Sequence, residues 1–151
     1  MAKYRSQLAT LHQLRSSARD AQRSRVADAL RAEAAVAEQL QAVDTEIENA
    51  KNHQRQRRSG QMQVTALLEI ERYELVLKAQ AASLAKQQEA VAGELERRRT
   101  ALSAAEQQVR VVEKLDERRR NDFKQAEDRR EQKEMDEIAT QQFLRNRQPL
   151  N

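Results

Sequence analysis

Residues 51–63 read Lys-Asn-His-Gln-Arg-Gln-Arg-Arg-Ser-Gly-Gln-Met-Gln, and with this stretch the apolar periodicity of the chain stops. Ser59-Gly60 lies at its centre, and glycine can end a helix because it accepts positive φ without a Cβ penalty. Arg55, Arg57 and Arg58 just before it suit the negative end of a helix dipole. If the chain reverses there, antiparallel partners carry numbers summing to about 120, and the apolar residues follow that sum. Ala50 then faces Ile70, Ile47 faces Tyr73, Val43 faces Leu77 and Val36 faces Leu84. Ala29 with Val91, Val26 with Leu95, Ala18 with Leu102, Leu11 with Val109 and Leu8 with Val112 extend the register to the N-terminus.

The expectation is an all-α fold: a long antiparallel two-helix coiled-coil hairpin with a C-terminal single-helix overhang. Its helices cover about residues 3–58 and 63–146, with the turn at about 59–62. At helical rise the arms measure ~84 Å and ~127 Å, so residues 117–146 lack a partner within the chain. The alternative architecture is a self-associating scaffold in which one continuous helix pairs with a second copy in parallel.

Apolar positions on the first arm form two tracks. Leu8, Leu11, Leu14, Ala18 and Ala21 make one, and Val26, Ala29, Val36, Leu40, Val43, Ile47 and Ala50 the other. The change of phase between them reads either as a stutter, which would locally unwind the supercoil, or as mere drift of the sequence. On the second arm the track runs from Val64 through Leu67, Ile70, Leu77, Ala81, Leu84, Val91, Leu95, Leu102, Ala105 and Val109 to Val112. Its gaps at Glu74, Gln88 and Arg98 place polar residues in the seam, where they cost stability and fix register. Gly93 reads as a tolerated surface glycine inside the helix.

Composition agrees with long helices. The chain has 151 residues, two glycines, one proline and 3% aromatics, with Ala, Glu, Gln, Arg and Leu dominant. The formal charge of +4 is concentrated early, because residues 1–31 hold seven basic and two acidic groups while the signs cancel from residue 61 onward. Without cysteine there is no disulfide or thiolate chemistry. His12 and His53 stand in unrelated contexts, so no catalytic set, metal site or cofactor site is expected, and the chain reads as a non-enzyme. Nucleic-acid binding is disfavoured because Arg97-Arg98-Arg99 and Arg118-Arg119-Arg120 wrap around a helix and stacking aromatics are few. No apolar run is long enough to span a membrane.

The stretch Glu127-Asp128-Arg129-Arg130-Glu131-Gln132-Lys133-Glu134-Met135-Asp136-Glu137-Ile138-Ala139 resembles the C-terminal signature of the flagellar export family FliJ, and Val112-Glu113-Lys114-Leu115-Asp116-Glu117-Arg118 resembles a Lys-Leu-x-x-Arg element that precedes it. The family is similar to injectisome YscO-type stalks. The resemblance implies a cytoplasmic protein at the flagellar base, peripheral to the inner face of the membrane. Its termini would enter a hexameric export ATPase and its hairpin tip would meet the membrane export gate; some members are described as escorting export chaperones. Carried over residue by residue, Tyr4, Leu8, Arg118, Arg119, Phe123, Gln132, Lys133, Met135, Asp136 and Glu137 would bind the ATPase. Gln39, Val43, Tyr73 and Leu77 would bind the gate, with Glu46 and Ala50 replacing aromatics found in some members.

Overall fold

The structure, a computed structural model, describes residues 2–58 and 63–147. The expected turn at 59–62 lies outside the described residues. Two helices account for nearly all of the rest: α1 (Ala9–Arg58) and α2 (Val64–Arg147), with no strand among the described residues. They divide into two units, each an antiparallel pairing of α1 with α2. Unit 1 takes the residues up to Ala18 and those from Ala105 onward, and unit 2 takes Arg19–Ala104.

In unit 1, Ser6, just ahead of α1, meets Asp116, and on α1 His12 meets Glu113 and Arg15 meets Gln108, so numbers fall on α2 as they rise along the first arm. Unit 2 runs the same way, with Arg25 against Arg98 and Glu46 against Tyr73. Both registers lie near the expected sum.

Burial follows a seven-residue repeat. Leaving aside Ser16, Ala27 and Lys51 at its edges, the positions of α1 that lose solvent are 12, 15, 19, 22, 26, 29, 33, 36, 40, 43, 47, 50 and 54. Steps of four and three alternate throughout. On α2 the same alternation runs from Leu67 through 70, 74, 77, 81, 84, 88, 91, 95, 98, 102, 105, 109 and 112 to Asp116, flanked by Ala66, Gly93, Glu94 and Glu106. Ala29, Ala50, Leu77, Leu95, Val109 and Val112 are the buried apolar residues. Glu33, Glu74, Gln88 and Arg98 occupy the polar seam positions and are half-buried.

The stutter is absent. Leu11 and Leu14 are 37% and 65% exposed, and His12, Arg15, Arg19 and Gln22 take the seam in place of Leu11, Leu14, Ala18 and Ala21. The phase set by Val26 to Ala50 simply continues toward the N-terminus, which a helix does without local unwinding. Long polar side chains can occupy such positions because their stems are apolar and their heads reach water or a partner. Here Arg15 Nη1 donates to Gln108 Oε1 at 2.8 Å, and His12 Nε2 lies 3.1 Å from Glu113 Oε1.

The first helix starts at Ala9 and not near residue 3, because Ser6 diverts the chain. Its hydroxyl accepts the Leu8 N–H at 3.2 Å, a local bond that competes with helix, and the Leu8 carbonyl then accepts the His12 N–H at 2.8 Å. Gln63 caps the second start, its carbonyl accepting from Ala66 and Leu67 at 3.0 and 3.3 Å. Intrahelical ion pairs line the surface, among them Glu74 with Lys78 at 3.3 Å as the spacing suggests. Arg97, Arg98 and Arg99 are held by Glu94 and Glu96. Arg98 also donates to the Arg25 carbonyl at 2.7 Å, a cross-helix tie at one of the polar seam positions.

Candidate partner-binding surfaces

Unit 1 carries a cluster that sequence reading missed. Residues 2–8 are not helical, and Tyr4 and Ser6 among them bond to α2. Tyr4 Oη donates to Asp116 Oδ1 at 2.8 Å, and Ser6 Oγ donates to the same oxygen. The Tyr4 ring meets Phe123 at a centroid distance of 5.7 Å and a tilt of 53°, with the Arg120 guanidinium 5.8 Å from the Tyr4 centroid. Arg120 pairs in turn with Asp116 at 3.6 Å. Hydrogen bonds from Ser6 and then Tyr4 hold the Asp116 carboxyl below the usual aspartate range. Desolvation, followed by the Asp116 bond and charge, raises the Tyr4 phenol. Tyr-x-Ser ahead of a helix was the available local signal, but its acceptor lies 110 residues away and no local pattern names it.

Beyond this strap α2 loses its cover. Phe123 and Glu127 are half-buried, and all twenty residues from Asp128 to Arg147 are exposed. Met135, Ile138, Phe143 and Leu144 are 66%, 51%, 60% and 58% exposed, a set of large apolar side chains on one solvated helix. Gln132, Lys133, Asp136 and Glu137 stand exposed among them; Arg118 and Arg119 are exposed too, Arg119 beside Tyr4 and Phe123. Half-buried Leu8 completes the strap. The structure therefore gathers Tyr4, Leu8, Arg119 and Phe123 at one place, with the 132–137 group further along α2.

The second candidate set, in unit 2, divides. Gln39 is exposed and Val43 half-buried, lining one shallow groove with Ser83 and Leu84. Tyr73 is 52% exposed and lies outside the seam, because Ile70, Glu74 and Leu77 occupy it. Its hydroxyl donates to Glu46 Oε2 at 3.2 Å, and the Glu46 charge raises its pKa. Leu77, at 2% exposure, holds the seam and offers no surface to a partner. Tyr73 packing opposite Ile47 at the seam is corrected accordingly.

Among the described residues no group of three or more His, Cys, Asp or Glu could hold a metal ion, and no helix is long and apolar enough to cross a membrane. No curated protein matches the chain significantly. A solved chain described as a YscO homologue from Chlamydia trachomatis is similar in fold, with a TM-score of 0.61 at 20% identity, over 97% of this chain and 100% of that one. The model of the flagellar FliJ protein matches residues 4–148, and the chain belongs to that family of flagellar export proteins.

Proposed function

We propose that this protein is a non-enzymatic stalk of the flagellar export apparatus, working in the cytoplasm beside the membrane. Its C-terminal helix enters the hexameric export ATPase, and the Gln39, Val43 and Tyr73 region of unit 2 meets the export gate. The observation that carries the reading is the run of exposed residues from Asp128 to Arg147, a helix with four large apolar side chains in water. An isolated helix of this length gains little from propensity alone, whereas a partner that buries Met135 and Ile138 converts them into anchors. Nine acidic and nine basic residues from 116 to 147 supply a mixed polar rim around such anchors. A single helix about 10–12 Å across fits a ring's pore more readily than a helix pair does.

Leu77 serves this reading indirectly, by stiffening the seam beneath Tyr73. The test is oligomerisation and ATP turnover of the cognate export ATPase with the full chain, with a chain ending at Glu127, and with Met135→Glu/Ile138→Glu. The full chain should promote both, and the two variants should fail to do so. Equal stimulation by all three would contradict a terminal binding site.

A further inference from the structure

We infer that unit 1 carries a second, separate docking surface, built for an acidic amphipathic helix of a protein partner. Its apolar part is Leu11 and Leu14 on α1 with Val111 and Leu115 on α2, exposed by 37%, 65%, 65% and 41%. On α1, steps of three and four from Leu11 to Leu14 to Ala18 keep these residues on one face. The same steps run from Gln108 to Val111 to Leu115 on α2. The Arg15 to Gln108 hydrogen bond bridges the two stripes, so they border the same flank of the pair. His12 and Glu113 meet on the opposite flank.

Two helices that meet only along a coiled-coil seam need one narrow stripe each, while helices in a three-helix arrangement need a wider one. In unit 1 α2 carries the wider stripe, Val111 and Leu115 adding to its seam residues Val109 and Val112, while on α1 the apolar Leu11 and Leu14 lie beside a polar seam of His12 and Arg15; on both helices the apolar flank faces water. The concavity between two antiparallel helices receives a third helix, whose leucines would seat at three- and four-residue spacing.

Charge selects the partner. Residues 2–18 contain Lys3, Arg5 and Arg15 and no carboxylate. Arg15, Lys114 and Arg118 border the stripe, whereas Glu106, Glu113 and Glu117 fall on other faces of α2, and Asp122 one turn further along is the stripe's lone carboxylate. Lys114, Leu115 and Arg118, exposed like Glu117, also belong to the family-like element, of which the hairpin seam takes Val112 and Asp116. A glutamate-rimmed apolar helix complements this surface in shape and in sign.

The probes are a synthetic amphipathic helix of about three heptads with leucines on one face and glutamates along its rim, and its lysine-rimmed counterpart. Fluorescence anisotropy with the full chain should give saturable binding of the glutamate peptide that weakens with salt, and at least tenfold weaker binding of the lysine peptide. Leu14→Glu/Val111→Glu should lower affinity for the glutamate peptide at least tenfold at unchanged helicity, since both side chains already face water. Lys114→Glu/Arg118→Glu should reverse the preference between the peptides. No binding, equal binding of both peptides, or indifference to both double variants would overturn the proposal. So would a concentration-dependent dimer that Leu14→Glu/Val111→Glu abolishes, which would make a second copy the occupant. Flotation with phosphatidylglycerol vesicles that depends on the same residues would make it a lipid surface, and overturn the proposal likewise.

Discussion

Leu77 and Leu75 lie two residues apart on α2, have the same side chain, and are 2% and 65% exposed. Truncating each to alanine therefore isolates the effect of seam position. A buried Leu→Ala change costs about 2–5 kcal/mol, with the cavity left behind setting the spread. The seam here is one layer deep and open along both flanks, so neighbours can collapse into the gap, and Leu77→Ala should fall at the low end, about 2–3 kcal/mol. Leu75 has kept most of its surface in water, so Leu75→Ala should cost under about 0.5 kcal/mol. For a chain of this size each kcal/mol moves the midpoint by about 2–4 °C, which places the Leu77→Ala loss at about 4–12 °C and the Leu75→Ala loss within about 2 °C. Circular dichroism at 222 nm during heating reads both. Equal losses, or a larger loss for Leu75→Ala, would show that the seven-residue phase assigned to α2 is wrong.

Gly93→Ala should stabilise by about 1 kcal/mol, because its added methyl would meet only the end of the Arg97 side chain at 3.7 Å while the helix gains alanine's propensity; thermal unfolding checks it, and destabilisation would reveal a packing constraint at that site. The strap should be pH-sensitive at both extremes. Asp116 has a depressed folded pKa, so its contribution is present above the ordinary carboxylate value and is lost as pH falls through the folded one, below about 4. Tyr4 has a raised pKa, so its contribution is present below about 10 and is lost as pH rises further. Nuclear magnetic resonance of the Tyr4 and Phe123 rings should report a constant contact between these limits, and loss of the contact at neutral pH would refute the assignment.

Much of this arrangement is legible in the sequence, for reasons that particular residues make plain. From Val26 to Ala50 and from Leu67 to Val112 the apolar residues are frequent enough to fix a seven-residue phase, and Glu33, Glu74, Gln88 and Arg98 fall in step with it as polar seam positions. The first turns of α1 mislead because the leucines there do not mark the seam. Leu11 and Leu14 carry more apolar surface than His12 and Arg15, yet the seam follows the phase inherited from Val26. Hydropathy alone cannot distinguish a stripe that faces the neighbouring helix from one that faces solvent. Tyr73 fails for a related reason: its ring is apolar, but it stands one place before Glu74 and reaches its partner Glu46 along the flank. The Tyr4, Ser6 and Asp116 strap needs a contact across most of the chain, which no local pattern encodes.

The same separation of seam from flank organises the molecule's surfaces. Leu77, Leu95 and Val109 hold helices together and are spent in doing so. Exposed and open to partners are the flank of unit 1, Gln39 and Tyr73 in unit 2, and the helix beyond Glu127. Tyr4 and Phe123 mark where intramolecular cover ends, since α2 has a neighbour up to their contact and is bare from Asp128.

Amide hydrogen exchange across residues 128–147, with and without the export ATPase, tests the central claim most directly. The account predicts rapid exchange in the free protein and strong protection centred on Met135 and Ile138 in the complex. Protection elsewhere, with residues 128–147 still exchanging as freely as before, would contradict it.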